Sequence, residues 1–395
     1  MPRLAIDGGK PVRAKDSFLV FGAPRIDQPE IDEVVDCLKI GWIGTGPKVH
    51  TFEDLFREYK GVKHAIALNS CTAALHLSML AANIGPGDEV ITTPMTFCAT
   101  INAIIHSGAT PVLADCDRYT MNIIPEEIEK KITSRTKAIL PVHFAGRPCD
   151  MEHIQELAKL YDLMVIEDCA HAIESTYQGS KTGTFGDIGC FSFYVTKNII
   201  TGEGGMVITD DDRIAERIKI LALHGMSKDA WKRYSDEGYK HYQVIHAGYK
   251  YNMMDIQAAI GIHQMKQIDR FHRHREKIWK QYNAAFKDLP CETPLPPGPD
   301  RMHAYHLYTP LLDIEKIGKR RDWVLDALTF ENIGVGVHYL PVHLHPFYRK
   351  TFGWEEGAFP NAEWIGARTL SLPLSARLNR QEVEDVIEAF YKILS

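Results

Sequence analysis

One lysine of this chain lies in a glycine-rich turn between two apolar segments. Phe191–Val195 precedes Lys197, and Met206–Thr209 follows a turn closed by Gly204 and Gly205. Apolar strands on both sides would bury the lysine, and burial disfavours the ammonium, lowers the pKa and frees the amine. A free amine in such a pocket can form an imine with an aldehyde cofactor. Taken alone, the stretch fits a solvated hairpin lysine better, because most lysines are exposed to water.

A second chemical group comes from Val165–Ala172, an apolar segment that ends in an acid and a histidine. A carboxylate at the C-terminal end of a parallel strand lies where α/β folds bind ligands. There, Asp168 would keep a pyridine nitrogen protonated, as pyridoxal phosphate chemistry requires. Capping of the following helix by Asp168 explains the same residue equally well.

Two polar turns are candidates for phosphate binding. Asn69–Thr72 precedes a predicted helix, whose free N–H groups and positive dipole end favour an anion. Simple capping by Ser70 or Thr72 fits this turn equally well. The loop Gly41–Pro47 could present the N–H groups around Thr45 to a phosphate, although a helix-ending turn fits its local sequence better.

These segments together resemble the DegT/StrS-type family of sugar aminotransferases, within the fold type I pyridoxal-phosphate enzymes. The resemblance runs along nearly the whole chain, and several motifs in the right order are more specific than any one of them. In chain order they are Gly41–Pro47, Asn69–Leu75, Gly87–Ile91, Glu167–Ala172 and Gly202–Gly205. His224, Gly225 and the segment Gly248–Asn252 are most similar to UDP-4-ketosugar 4-aminotransferases, among them UDP-4-amino-4-deoxy-L-arabinose–oxoglutarate aminotransferase.

The resemblance implies pyridoxal 5'-phosphate as the cofactor. Lys197 would hold it as an imine and then move a proton as general acid/base. Asp168 would face the pyridine nitrogen, and His171 would lie near the ring's phenolic oxygen. The other implied cofactor-binding residues are the amides of Cys71 and Thr72, Ser192 at the phosphate, Phe97 stacked on the ring, and Lys250. Phe97 as a core residue and Ser192 as a strand hydroxyl bonded to backbone remain alternatives.

Lys250 departs from the common family pattern. Relatives have Gly-Tyr-Asn-Tyr-Arg, in which the asparagine reaches the phosphate of the neighbouring subunit, whereas Gly248–Asn252 places Lys250 at that position. A lysine can still serve a phosphate as a point charge, and the subgroup that makes UDP-aminoarabinose shows the same exchange. The missing arginine leaves the anchor of the donor carboxylate open.

The same segment implies a homodimer with shared active sites. The long stretch 227–247 is rich in aromatic residues, which are enriched in the cores of protein interfaces. We therefore expect Trp231, Tyr234 and Tyr242 to be buried between subunits.

Substrate contacts are expected from Thr45 and from the C-terminal segment, where His338 and Tyr339 would close over the sugar. His343 and His345 make this region rich in histidine. No carboxylate or cysteine completes a metal-ligand set at the usual spacing, so we predict no metal site.

Composition excludes several other classes of protein. The chain has 395 residues, a net charge of −6 and 45% hydrophobic residues, so no basic field attracts nucleic acid. The eight cysteines include no CxxC pair, which fits reduced thiols in the cytoplasm. No run of 18 apolar residues could span a membrane.

Strand-like and helix-like segments alternate, which predicts an α/β fold with a mostly parallel sheet covered on both faces. We expect an N-terminal arm (1–20), a large pyridoxal-phosphate-binding domain (21–265) and a small α+β C-terminal domain (266–395). One long helix from Asp255 to about residue 285 would join the two domains. Strands are predicted at His306–Leu311 and Gly336–Tyr339.

We expect an aminotransferase that moves an amino group from glutamate to the keto group of a nucleotide-linked 4-keto sugar, for cell-surface polysaccharide or deoxyaminosugar biosynthesis. A 3-keto sugar, a keto-cyclitol or dehydratase-like chemistry is the alternative, although 3-dehydratases carry histidine where Lys197 stands. A non-catalytic relative is disfavoured by the intact Lys197 and Asp168. A nicotinamide oxidoreductase is disfavoured because no GxGxxG follows an early strand.

Overall fold

A computed structural model describes residues 3–227 and 242–395 of the chain. Most of the predicted aromatic interface, including Trp231 and Tyr234, therefore lies outside the described residues. Within the described part, no helix combines the length and the apolar character that crossing a membrane requires.

The helices form where polar caps meet apolar periodicity. Asp27 and Glu30 make a capping box at the first helix, and Ser70 and Asp211 cap two others through their side chains. In chain order, α1 to α14 are Gln28–Ile40, Pro47–Lys60, Cys71–Ala81, Cys98–His106, Pro125–Glu129, Met151–Tyr161, Asp212–Ala222, Asp255–Lys266, Ile268–Phe286, Ile314–Ile317, Arg321–Phe330, Pro346–Phe352, Pro360–Arg368 and Arg380–Leu394.

The strands are short and mostly buried. In chain order, β1 to β12 are His64–Leu68, Glu89–Thr92, Thr110–Leu113, Thr136–Ile139, Met164–Asp168, Thr176–Tyr177, Ser180–Lys181, Ile188–Ser192, Gly205–Thr209, Cys291–Glu292, Arg301–Met302 and Leu311–Leu312. Seven of them form one central sheet in the order β1–β9–β8–β5–β4–β2–β3. The pairs from β8 to β3 are parallel, and only β9 runs antiparallel to its neighbours. The predicted mostly parallel α/β sheet is confirmed.

Both faces of this sheet are covered by helices. Ile66 and Leu68 of β1 pack with α3 and α7 on one face, and Ala65 and Ala67 pack with α2 and α8 on the other. This alternation is the two-residue period of a strand buried on both sides. The carboxyl ends of β5 and β8 consequently meet at one edge, together with the turn between β8 and β9.

A separate apolar cluster joins α9, α11 and α14 of the C-terminal part. The N-terminal arm packs against it through Leu4, Ile6, Val12 and Leu19. The carboxylate of Glu331 accepts hydrogen bonds from Ala5 N (2.9 Å) and Val12 N (2.8 Å). The proposed domain boundaries stay a prediction, but the arm packs with the C-terminal cluster.

Three predicted elements differ from the structure. The long helix is two helices, α8 and α9, which meet at Gln267. Neither His306–Leu311 nor Gly336–Tyr339 forms a continuous strand, and Gly336 makes only one isolated bridge, to Ser371. Apolar patterning resembles that of a strand in both segments, but their backbone groups bond to other loops, as when the amides of His306 and Leu307 donate to Ala145 O.

Candidate active site

A cavity of about 510 Å³ opens at the carboxyl ends of the parallel strands, under the C-terminal segment 337–339. The large domain lines it with the starts of α3 and α4, the loop after β5 and the β8–β9 turn. The structure brings nine predicted residues to this cavity: Cys71, Thr72, Phe97, Asp168, His171, Ser192, Lys197, His338 and Tyr339. Residues far apart in sequence therefore form one site.

Lys197 is held by the β8–β9 turn. Its backbone N–H donates to Tyr194 O at 2.8 Å, while Phe193 and Thr201 bond across the turn. Burial lowers the pKa of the Lys197 ammonium to about 8, and the nearby Cys71 and Asp168 act in the opposite direction. Roughly a tenth of the amine is therefore unprotonated at pH 7, far more than for an exposed lysine, which suits imine chemistry.

Asp168 ends β5 inside the cavity wall and is 5% exposed. Its carboxylate accepts hydrogen bonds from Thr100 Oγ1 (2.8 Å) and Ala170 N (3.1 Å). Burial raises the pKa of Asp168, and these two hydrogen bonds and the Lys197 charge lower it. A protonated ring nitrogen placed against this carboxylate would oppose the burial cost, because an opposite charge favours the ionised form.

The start of α3 fits a phosphate group. Ser70 Oγ accepts from Ala73 N at 3.1 Å, and the amides of Cys71 and Thr72 have no hydrogen-bond partner among the described residues. A Cβ on Gly205 would lie 2.4 Å from the carbonyl of Ser70, so only glycine lets β9 approach this turn. Free N–H groups at a helix N-terminus bind anions, so the residues present fit pyridoxal phosphate.

Histidines and aromatic rings form the opposite wall. Tyr339 Oη lies 3.0 Å from His171 Nε2, and the ring of His306 lies tilted against that of His171 with centroids 4.5 Å apart. Burial lowers the pKa of His171 and His306 well below the usual range, and that of His338 to about 3. These imidazoles are therefore neutral hydrogen-bonding groups.

Phe97 is 58% exposed at the cavity rim, so the alternative that it only fills the core is wrong.

Thr45 and Lys250 are not brought to this cavity. Thr45 Oγ1 bonds Met253 O at 2.5 Å and accepts from Asn252 Nδ2 at 2.6 Å. Lys250 is exposed on a segment whose neighbours Tyr249 and Tyr251 bond to the end of α7. Within one chain, neither side chain lines the site.

Sequence patterns missed several groups around the cavity. Thr100 holds Asp168, and Asn198 links Glu174 (2.8 Å) to His306 (3.0 Å) directly after the lysine. The only local signal for Asn198 was its position next to Lys197. Thr100 lies on a helix, and nothing in its neighbourhood indicates which strand it faces.

One buried group behind the site contains metal-ligand residue types: His143, Glu167 and Cys169. His143 Nδ1 accepts from Cys149 N at 3.0 Å, so the neutral ring carries its proton on Nε2, 2.9 Å from Glu167. Glu167 also accepts from the backbone amides of Gly183, Phe185 and Gly186. Hydrogen bonds therefore account for the close approach of His143 and Glu167.

The chain is similar to known proteins along nearly its whole length. The model of the DegT/DnrJ/EryC1/StrS aminotransferase family matches residues 24–391. The chain is 55% identical over 383 residues to uncharacterized protein MJ1066 of Methanocaldococcus jannaschii, covering 96% of this chain and 99% of that protein. It is 50% identical over 385 residues to the spore coat polysaccharide biosynthesis protein SpsC of Bacillus subtilis, covering 97% and 99%.

Solved structures show the same fold. The putative sugar aminotransferase Spr1654 of Streptococcus pneumoniae, in its PMP-form, superposes with a TM-score of 0.88 at 32% identity, covering 95% of this chain and 98% of that chain. The same protein has also been solved in its PLP-form.

Proposed function

Because the chain belongs to the DegT/DnrJ/EryC1/StrS aminotransferase family and is a pyridoxal-phosphate-dependent aminotransferase, we propose that it moves the amino group of glutamate to the keto group of a nucleotide-linked 4-keto sugar. We further propose that the product enters polysaccharide or deoxyaminosugar biosynthesis. The similarity to SpsC, named for spore coat polysaccharide biosynthesis, supports this role. The observation that supports transamination best is Lys197 in one cavity with Asp168 and the α3 turn.

The cofactor, when bound, supplies an electron-withdrawing ring that makes the α-proton of the donor acidic. Lys197 Nζ would then have two tasks: to hold the aldehyde group of the cofactor and, once released, to carry the proton. Its lowered pKa suits both, because proton carriers work best near the operating pH. Asp168 would hold positive charge at the ring nitrogen, and the α3 amides would hold the phosphate. Tyr339 and His338 close the cavity on the C-terminal side.

Two observations support a homodimer with shared sites. Lys250 is exposed and outside its own cavity, which leaves it free to reach a neighbouring site. One face of α1 also exposes Ile31, Val35 and Leu38, which are 46%, 38% and 58% exposed at helical spacing. Apolar patches of this kind mark interaction surfaces. The cytoplasmic location stays a prediction, and the eight free cysteines are compatible with it.

The decisive experiment is a substrate panel with glutamate as donor. UDP- and dTDP-linked 4-keto sugars, their 3-keto counterparts and a keto-cyclitol would be tested for 2-oxoglutarate release and for an amino product by mass spectrometry. We expect turnover with a 4-keto nucleotide sugar and none with Lys197→Ala. Turnover of only 3-keto sugars or the cyclitol would contradict the 4-keto assignment, and loss of the keto-sugar hydroxyl without amination would indicate a dehydratase.

A further inference from the structure

The protonation of His171 is determined by a backbone amide. Ala145 N donates to His171 Nδ1 at 3.2 Å in a buried setting. A backbone amide can only donate, so Nδ1 must be the unprotonated nitrogen. In the neutral ring the proton is therefore on Nε2, which lies 3.0 Å from Tyr339 Oη. His171 donates and the Tyr339 oxygen accepts.

The donor at Ala145 is itself held in an unusual backbone conformation. Ala145 has φ of 55°, a left-handed region that disfavours residues with a Cβ. Its carbonyl oxygen accepts from His306 N (3.1 Å) and Leu307 N (3.3 Å), so the backbone N–H and the backbone C=O of Ala145 are both hydrogen-bonded. Strained residues of this kind occur where the surrounding structure needs a particular group in a particular direction.

Tyr339 is positioned so that its hydroxyl hydrogen is available. Its ring packs edge-on against buried Phe144 with centroids 6.0 Å apart, and His171 is the only hydrogen-bond partner of Tyr339 Oη among residues 3–227 and 242–395. A phenol that accepts from one side directs its own hydrogen to the other side. Tyr339 lines the same cavity as Lys197 and Asp168.

We propose that Ala145, His171 and Tyr339 form a one-way hydrogen-bond relay that makes Tyr339 a dedicated donor to an oxygen atom of the bound ligand. His171 is a positioning residue in this relay, and Tyr339 makes the contact. The acceptor is an oxygen of the cofactor ring or of the sugar. The KM measurement with the sugar rests on the proposed function, whereas the measurement of the His171 tautomer and the pyridoxal phosphate titration do not.

The first test reads the relay directly, without catalysis. The cofactor-free protein is labelled with ring-¹⁵N histidine, and His171 is assigned from the signal lost in His171→Gln. We expect the signature of a neutral ring with its proton on Nε2 at pH 7. A proton on Nδ1, or a charged ring, would overturn the relay.

The second test asks what Tyr339 contacts. Tyr339→Phe is titrated with pyridoxal phosphate, and its kcat and KM are measured with the keto sugar found in the substrate panel. Loss of one hydrogen bond predicts about tenfold weaker cofactor binding if the acceptor is on the cofactor, or about tenfold higher KM if it is on the sugar. Unchanged values in both arms would overturn the proposal. Should no sugar on the panel react, unchanged pyridoxal phosphate binding would remove the cofactor as acceptor while the tautomer measurement still tests the relay.

Three further variants separate the relay from simple packing. Tyr282→Phe removes a buried hydroxyl that donates to Pro373 O at 2.9 Å in the C-terminal cluster, and should change neither ligand affinity. His171→Gln keeps an amide donor toward Tyr339, whereas His171→Phe keeps only ring volume. We expect His171→Gln to bind the ligand that Tyr339 contacts, pyridoxal phosphate or the keto sugar, more tightly than His171→Phe does. The reverse order would show that His171 only fills space.

Discussion

Two lysines of this protein show that burial alone does not make a catalytic amine. Burial lowers the pKa of both Lys60 and Lys197 to about 8. Lys60 Nζ donates to Ile173 O and Thr182 O, each at 2.8 Å, and lies 4.3 Å from the centroid of Phe191. Lys197 instead lines the cavity. The difference is access, because the ammonium of Lys60 is already bonded to backbone.

This contrast gives a prediction about which lysine the cofactor attaches to. Borohydride reduction of the protein loaded with pyridoxal phosphate, followed by peptide mass spectrometry, should fix the cofactor on Lys197 and not on Lys60. Lys197→Ala should then retain no covalent cofactor and lose about 10³-fold or more of its activity, the scale of a lost nucleophile and proton carrier. Cofactor on Lys60 or on any other lysine would refute the assignment.

The buried charge of Lys197 should also be visible in stability. The unfolded chain has the ordinary lysine pKa, so between pH 8 and 10.5 the unfolded state binds more protons and stability rises with pH. A shift of this size corresponds to about 3 kcal/mol. Lys197→Met should therefore stabilise the cofactor-free protein at pH 7 by up to about that amount, and the gain should vanish above pH 10.5.

Urea unfolding at pH 7 and pH 10.5 measures this difference. Lys63→Met, at an exposed lysine one residue before β1, is the matched control for replacing a lysine by methionine at the surface. An equal gain for Lys197→Met at both pH values would mean that the substitution acts through packing and not through charge.

At the scale of elements, the site depends on how closely β9 approaches the start of α3. A Cβ on Gly205 would lie 2.4 Å from Ser70 C and O and 2.6 Å from Cys71 N. Gly205→Ala must therefore displace the turn that presents the two free amides. We expect about tenfold or greater loss of pyridoxal phosphate affinity, as for a lost charge-assisted hydrogen bond.

The matched control for this prediction is Gly85→Ala. A Cβ there would meet only Ser107 O at 3.6 Å, an ordinary contact outside the cavity. Fluorescence titration of both cofactor-free variants with pyridoxal phosphate gives the comparison. Equal affinities would show that the turn tolerates the displacement and that the phosphate is held elsewhere.

At the scale of the whole molecule, the exposed Lys250 predicts that each site is completed by a second chain. Lys197→Ala and Lys250→Ala should each be inactive alone. After subunit exchange in an equal mixture, half of the dimers are mixed and each has one intact site, so about a quarter of wild-type activity should return.

A second mixture provides the control. Asp168 and Lys197 line the same cavity of one chain, so Lys197→Ala mixed with Asp168→Asn leaves every site with a defect and should restore nothing. If exchange is shown by native mass spectrometry and the Lys250→Ala mixture also stays inactive, Lys250 serves its own chain and the sites are not shared.

The sequence by itself determined the sheet, its helices and the chemical groups at the site. Alternation of apolar strands and capped helices is a local property, so β1 and α6 have the bounds that their patterns indicate. Asp168 ends the apolar strand β5 and Lys197 follows the apolar strand β8, at an edge where α/β folds bind ligands. Their roles were expected only from the resemblance to the aminotransferase family, because the local pattern also fitted a helix cap and a solvated lysine.

Tertiary structure alone decided which groups meet. Thr100 reaches Asp168, and Asn198 reaches Glu174 and His306, across separations that no local period encodes. His306–Leu311 has the composition of a strand, yet the amides of His306 and Leu307 bond to Ala145 O in a distant loop. The protonation of His171 likewise depends on a backbone amide 26 residues away. Such choices follow from packing between distant segments, which residue types and spacing do not specify.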